Sequence, residues 1–157
     1  MHRILILGRG AAGKSTLARR LGKLLDLPVT ELDTLFWSPT LTPTPPARWT
    51  EIQRHLIAPP RWLLDGDLGP HDTLQTRLTA ADTVLILNFP LWRCTYRALR
   101  RSPESLPFWR WLLTYRRHHL PAILSAIATH APEAEVHLFR RPREVELFMG
   151  RVGDRHL

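Results

Sequence analysis

The chain has 157 residues, 44% of them hydrophobic, and a formal net charge of +8. That balance suits one globular domain over residues 1–157 and excludes a disordered tail; no run approaches the roughly 18 apolar residues of a membrane span, so no membrane partner is expected. A single cysteine, Cys94, precludes an internal disulfide or a Cys-based metal cluster, and the N-terminal stretch lacks a signal-peptide cleavage site, so a cytoplasmic location is expected.

Residues 3–7, Arg-Ile-Leu-Ile-Leu, form the nearly continuous apolar run of a strand buried on both faces of a parallel sheet. Residues 8–13 read as a loop. From Lys14 onward Leu17, Ala18, Leu21, Leu24 and Leu25 recur at helical spacing, and Pro28 closes the element. A brief strand is expected over 29–32. The Pro/Thr segment 38–46 reads as an extended loop, and a helix over 47–57 is stopped by Pro59-Pro60. A third strand, 61–64, ends at Asp65-Gly66. The spacing of Leu74, Leu78 and Ala81 predicts a helix over 71–81, followed by a strand over 83–87. A basic helix covers 91–101 and is broken over 102–107. Residues 108–127 read as helical with one interruption near Pro121. A strand over 136–139 and a helix over 144–149 complete the pattern; the tail 151–157 carries no core periodicity and is expected to be mobile. Five strands alternating with helices predict a parallel sheet wrapped on both faces, with right-handed crossovers.

The charge is unevenly placed. Residues 91–130 carry seven basic groups against one acidic, whereas 131–157 carry five of each. A local excess of this kind attracts phosphate, whether of a nucleotide or of nucleic acid.

Gly8-Arg9-Gly10-Ala11-Ala12-Gly13-Lys14-Ser15 matches G-x-x-x-x-G-K-[ST] at every fixed position, between a buried strand and an amphipathic helix, with Thr16 next in line. Glycines let successive N–H groups turn inward around an anion, and the helix N-terminus adds its unpaired donors. Lys14 can bridge β- and γ-phosphates, and the Ser15 hydroxyl can ligate Mg²⁺. A nucleoside triphosphate with magnesium is therefore the expected ligand.

Acidic residues follow the strands, where open α/β sheets place their ligands. Asp65 is suited to the magnesium shell, Asp33 to holding or deprotonating an acceptor hydroxyl, and Asp67 to acceptor contact. On the basic helix Arg97 and Arg101 are i, i+4 neighbours that could clamp a transferring phosphoryl group. Arg77 could reach an anionic group of the acceptor. Phe36-Trp37 could stack on a ring or cap the core. Trp109, Trp111 and Tyr115 alternate with arginines, which suits nucleic-acid stacking as well as helix packing, and His118-His119 reads as surface.

Several segments together resemble a known family. They are the phosphate loop, Leu32-Asp33-Thr34-Leu35-Phe36-Trp37, Trp62-Leu63-Leu64-Asp65-Gly66-Asp67, Arg77-Leu78-Thr79-Ala80-Ala81-Asp82, Asn88-Phe89-Pro90-Leu91-Trp92-Arg93 and Arg140-Arg141-Pro142-Arg143. Over residues 1–149 the chain resembles the topology modulation proteins, a branch of the adenylate-kinase-like P-loop proteins. The resemblance implies a three-layer αβα P-loop fold with strand order 2-3-1-4-5. A short helical lid over about 91–120 would carry Arg97 and Arg101. Asp33 and Arg77 would face the acceptor, and Arg140-Arg141 would border the adenine. Two departures stand out: Asp67-Leu68 replaces the Asn-Tyr usual in the family, and the lid is short, which would let hydrolysis compete with transfer. The function expected is an ATP-dependent small-molecule kinase with ATP and Mg²⁺. The alternatives are an ATP-binding nucleic-acid-associated protein and a degenerate kinase acting as a regulatory ATPase.

Overall fold

A computed structural model describes residues 1–69, 72–101 and 105–155, with only the backbone at Arg101. Five parallel strands, β1 (Arg3–Gly8), β2 (Val29–Glu31), β3 (Trp62–Asp65), β4 (Thr83–Leu87) and β5 (Glu135–Phe139), form one sheet in the order β2-β3-β1-β4-β5. The expected αβα architecture and strand order are both present. Around the sheet lie α1 (Lys14–Leu25), a short α2 (Asp33–Phe36), α3 (Pro46–Ile57), α4 (Leu74–Leu78), α5 (Leu91–Arg101), α6 (Leu106–Thr114), α7 (Leu120–His130) and α8 (Pro142–Asp154).

The three layers follow from the alternation of side chains along β1. Ile4 and Ile6 point into one core with Leu17, Ala18 and Leu21 of α1 and Val145 and Phe148 of α8. Leu5 and Leu7 point into the other, with Trp49 of α3, Leu78 of α4 and Ile123 of α7. Because β1 and β4 are hidden on both faces, each fully buried leucine or isoleucine contributes roughly 1.5–3 kcal/mol of transfer free energy. The register sets Ile6 beside Asp65 and Gly8 beside Leu87, so the ends of β1 and β3 open at the same edge. At the opposite edge the Asp82 carboxylate accepts the His2 and Arg3 N–H groups at 2.9 and 3.0 Å and fixes where β1 begins.

Two expectations need correction, and a third is made specific. The helix expected over 71–81 is the single turn-and-a-half of α4, with residues 70 and 71 outside the described part. The interruption expected near Pro121 is a π-helical turn, Tyr115–His119, and Pro121 itself falls in the first turn of α7, where its missing N–H costs nothing. Finally, α8 runs to Asp154, and Val152 is buried one turn beyond Phe148 and Met149, so the tail carries core after all. Gly150 and Gly153 both sit within the helix.

Candidate active site

The phosphate loop leaves β1 at Gly8 and enters α1 at Lys14. At Gly8 a Cβ would lie 2.5 Å from the Leu87 carbonyl oxygen, so the loop can cross β4 only without a side chain there. Gly13 has φ +98°, a conformation that turns the loop into the helix and that side chains resist. No side chain caps the N-terminus of α1, so its first N–H groups remain available to an anion. Lys14 Nζ donates to the carbonyls of Gly8 and Arg9 at 3.1 and 3.2 Å, which holds the ammonium across the mouth of the loop. Ala11 has φ +57° and Ala12 is buried, its N–H donating to the Arg9 carbonyl at 3.3 Å.

Arg9 behaves differently from its neighbours in the motif. Its side chain is 1% exposed, donates to the Phe89 carbonyl at 3.3 Å and lies 5.7 Å from the centre of the Tyr115 ring. Burial, with Arg116 adding to it, lowers its pKa. Of Arg9, the backbone therefore belongs to the phosphate loop and the side chain to the packing against Tyr115 and Phe89.

Asp65 ends β3 only 3% exposed, and its Oδ1 has no hydrogen-bond partner. Burial raises its pKa against the opposing pull of Lys14 and a Ser15 hydrogen bond, and Asp33 raises it further. The fold thus brings Lys14, Ser15, Asp33 and Asp65 together from three separate segments. A buried carboxylate oxygen without a donor, beside a serine hydroxyl, suits a hydrated Mg²⁺, which keeps most of its water and takes few protein ligands. Among the described residues no group of three or more His, Cys, Asp or Glu is placed to hold a metal, so such an ion would depend on Ser15, Asp65 and the phosphates.

Asp33 itself is exposed, in the first turn of α2. That turn is anchored because the Leu32 N–H donates to the Asp65 carbonyl at 2.8 Å. Behind it Phe36 is 2% exposed and meets Trp37 and Trp49 edge-on at 4.8 and 5.0 Å, so Phe36 belongs to the core and Trp37 is the more accessible ring. Asp67 accepts from the Tyr115 hydroxyl at 3.0 Å and from the Gly69 N–H at 3.2 Å. Its pKa is raised by burial and lowered by Lys14. The Tyr115 hydroxyl is pushed upward by burial and by Asp67, and stays protonated.

Arg77 is fully buried. It grips both Asp72 oxygens at 2.7 and 2.6 Å and donates to Gln53 Oε1 at 2.7 Å, joining α3 to α4. From α5, Arg97 reaches the phosphate loop: its Nη1 donates to the Ala12 carbonyl at 3.5 Å. The Arg101 side chain lies outside the described residues. Thr16, Arg20, Arg93, Arg97, Pro142 and Glu146 line a cleft of about 170 Å³ beside the start of α1. Arg140 and Arg141 are exposed just before α8, their N–H groups held by the Glu144 carboxylate at 2.7 and 3.3 Å.

Sequence reasoning missed the inner face of α6. A Cβ on Gly10 would lie 2.7 Å from Phe108 and 2.8 Å from Trp111, and the Trp111 indole nitrogen is 3.1 Å from the corresponding point at Gly69. Phe108, Trp111 and Tyr115 stand at i, i+3 and i+7, so one helical face joins the phosphate loop to the loop after β3. His119, expected at the surface, stacks on Tyr115 at 6.1 Å. The spacing was visible in the sequence; the surface it meets was not.

Neither a protein-family model nor a curated protein sequence matches this chain. Solved structures do. A shikimate kinase from Acinetobacter baumannii, in complex with shikimate, is 17% identical with a TM-score of 0.67, covering 97% of this chain and 90% of that one. An unliganded sugar kinase from Janibacter is 14% identical with a TM-score of 0.59, covering 99% and 91%. A gluconokinase from Sinorhizobium meliloti is 15% identical with a TM-score of 0.54, covering 98% and 94%. The chain has the fold of these P-loop kinases over nearly its whole length.

Proposed function

We propose that the protein is a phosphotransferase that moves the γ-phosphoryl group of ATP to a hydroxyl of a small acceptor. The observation that carries this function is the meeting of Lys14, Ser15 and the buried, donor-less Asp65 oxygen at the uncapped N-terminus of α1. Residues 8–16 hold the triphosphate. Lys14 exchanges its two carbonyl partners for phosphate oxygens and stabilises the charge that develops in transfer. When bound through Ser15 and Asp65, Mg²⁺ supplies further neutralisation of that charge.

Asp33 receives the acceptor hydroxyl and takes its proton, as an exposed carboxylate beside the Asp65 site can do. Trp37 and Asp67 border the acceptor, while Phe36 and Arg77 shape its side of the cleft from within the core. Arg97, with Arg101, closes on the phosphates from α5, and the exposed Arg140 and Arg141 flank the base of the nucleotide. The segment over 91–120 is the lid, and residues 1–157 act as one domain. Kinase neighbours that take shikimate, gluconate and sugars support a small hydroxylated acceptor. The sequence motifs support a place within the topology modulation branch.

A screen for labelled γ-phosphate transfer across nucleosides, nucleoside monophosphates, sugars and small alcohols tests this function. Turnover with at least one acceptor class, lost in Lys14→Ala, is expected. Slow hydrolysis with no transfer would point instead to a regulatory ATPase. Calorimetry showing no binding of ATP with magnesium would overturn the function altogether.

A further inference from the structure

Helix α5 buries its small residues and exposes its large ones. Cys94 and Ala98 are fully buried, while Trp92, Tyr96 and Leu99 are 71%, 58% and 68% exposed. Positions 92, 96 and 99 form one stripe on the outer face of the helix. Beside the stripe, Arg100 is exposed; its guanidinium lies 5.6 Å from the Tyr96 ring centre and donates to the Tyr96 hydroxyl oxygen at 3.2 Å. The next helix repeats the pattern: in α6 Leu112 is buried, whereas Leu106 and Leu113 are 85% and 60% exposed, with Arg110 exposed between them.

We propose that this face docks the protein peripherally on an anionic lipid bilayer. Isolated exposed leucines are ordinary. A Trp-Tyr-Leu stripe on a helix otherwise rich in arginine is not, because that combination places aromatic rings at the headgroup level and cations against anionic lipid. Arg93 and Arg97 turn to the cleft beside α1, but Arg100 and Arg110 are exposed beside the apolar side chains and Arg117 is exposed further along. A second copy of the same face fits poorly, since a two-fold contact would set arginines against arginines. Single-stranded nucleic acid fits less well than lipid, because only Trp92 and Tyr96 offer a ring for a base to stack on, whereas Leu99, Leu106 and Leu113 do not. Docking of this kind needs no spanning segment, and among the described residues no helix is long and apolar enough to cross a membrane. It amends the expectation of no membrane partner, which was drawn from the lack of a span alone.

The test uses the full chain without nucleotide, so it does not depend on the phosphotransferase function. The protein is sedimented with vesicles of phosphatidylcholine alone or mixed with phosphatidylglycerol, at low and high salt. Binding to the mixed vesicles at low salt is expected, with weakening as salt shortens the reach of the arginines. The double variant Trp92→Ser with Leu99→Ser should lose that binding while keeping its melting temperature, because both side chains are exposed. Arg100→Gln should weaken binding about fivefold. Quenching of tryptophan fluorescence by brominated lipid should fall in Trp92→Phe. Failure to sediment with anionic vesicles at low salt would overturn the proposal, as would undiminished binding by the double variant. So would finding that the same double variant instead abolishes a concentration-dependent dimer in gel filtration, or the retention of a labelled oligonucleotide.

Discussion

The two sides of the proposed cleft are built from different materials. On the nucleotide side, backbone N–H groups and one lysine come from a single contiguous stretch, and the conformation of the loop is set by glycines and by the neighbouring strand β4. On the acceptor side, side chains from distant segments meet. Tyr115 donates to Asp67, Trp111 lies on Gly69, and Arg116 Nε donates to Asn88 Oδ1 at 3.2 Å. The first arrangement can be specified by a short motif. The second exists only once the sheet has brought the ends of β3 and β4 beneath α6 and the π-helical turn.

Substitutions can separate the two sides. Lys14→Ala should have the largest effect, lowering phosphoryl transfer by about 10³-fold in single-turnover assays while leaving the melting temperature nearly unchanged. Asp65→Asn should cost about 10²-fold in rate and yet stabilise the ligand-free protein at neutral pH. The sign follows from burial. The Asp65 pKa is raised in the fold, so its ionisation costs stability as pH climbs from the ordinary value of 3.8 through the raised one. Melting curves should therefore show the variant above wild type at pH 7, with the gap closing below the ordinary value. Wild type melting higher at neutral pH would show that Asp65 has a donor in solution.

Tyr115→Phe acts on the other side. It removes the hydroxyl donor from Asp67 and should cost about 1–3 kcal/mol in denaturant unfolding, raising the acceptor KM and leaving ATP affinity unchanged. Equal loss of ATP affinity would mean that the two sides are one unit. Gly10→Ala probes the seam between them, because the new methyl group meets the Phe108 and Trp111 rings. A cost of about 1–3 kcal/mol is expected, measured by thermal melting, and a compensating Phe108→Leu should recover part of it.

That contrast explains what was legible in the sequence. The β1–loop–α1 unit was readable because its pattern is local: an apolar run, glycines at fixed offsets, then helical spacing. Strand order came from a resemblance and was correct. Arg77 was expected to face the acceptor; that its guanidinium also holds Gln53 is not marked locally, since Gln53 comes from another helix. Phe36 and Trp37 are adjacent in sequence, and only the packing of α3, through Trp49, decides that the first is core. The end of α8 was missed because a single apolar residue, Val152, continues the stripe beyond Met149.

The π-helical turn Tyr115–His119 takes one residue more than an α turn to complete the same revolution. Deleting one residue there would let α6 and α7 run on as a regular helix, with Phe108 and Trp111 still against the phosphate loop and Ile123 and Ile127 still in the core. A deletion elsewhere in α6 has no such slack and would turn the residues upstream by about 100°, carrying both rings off the loop.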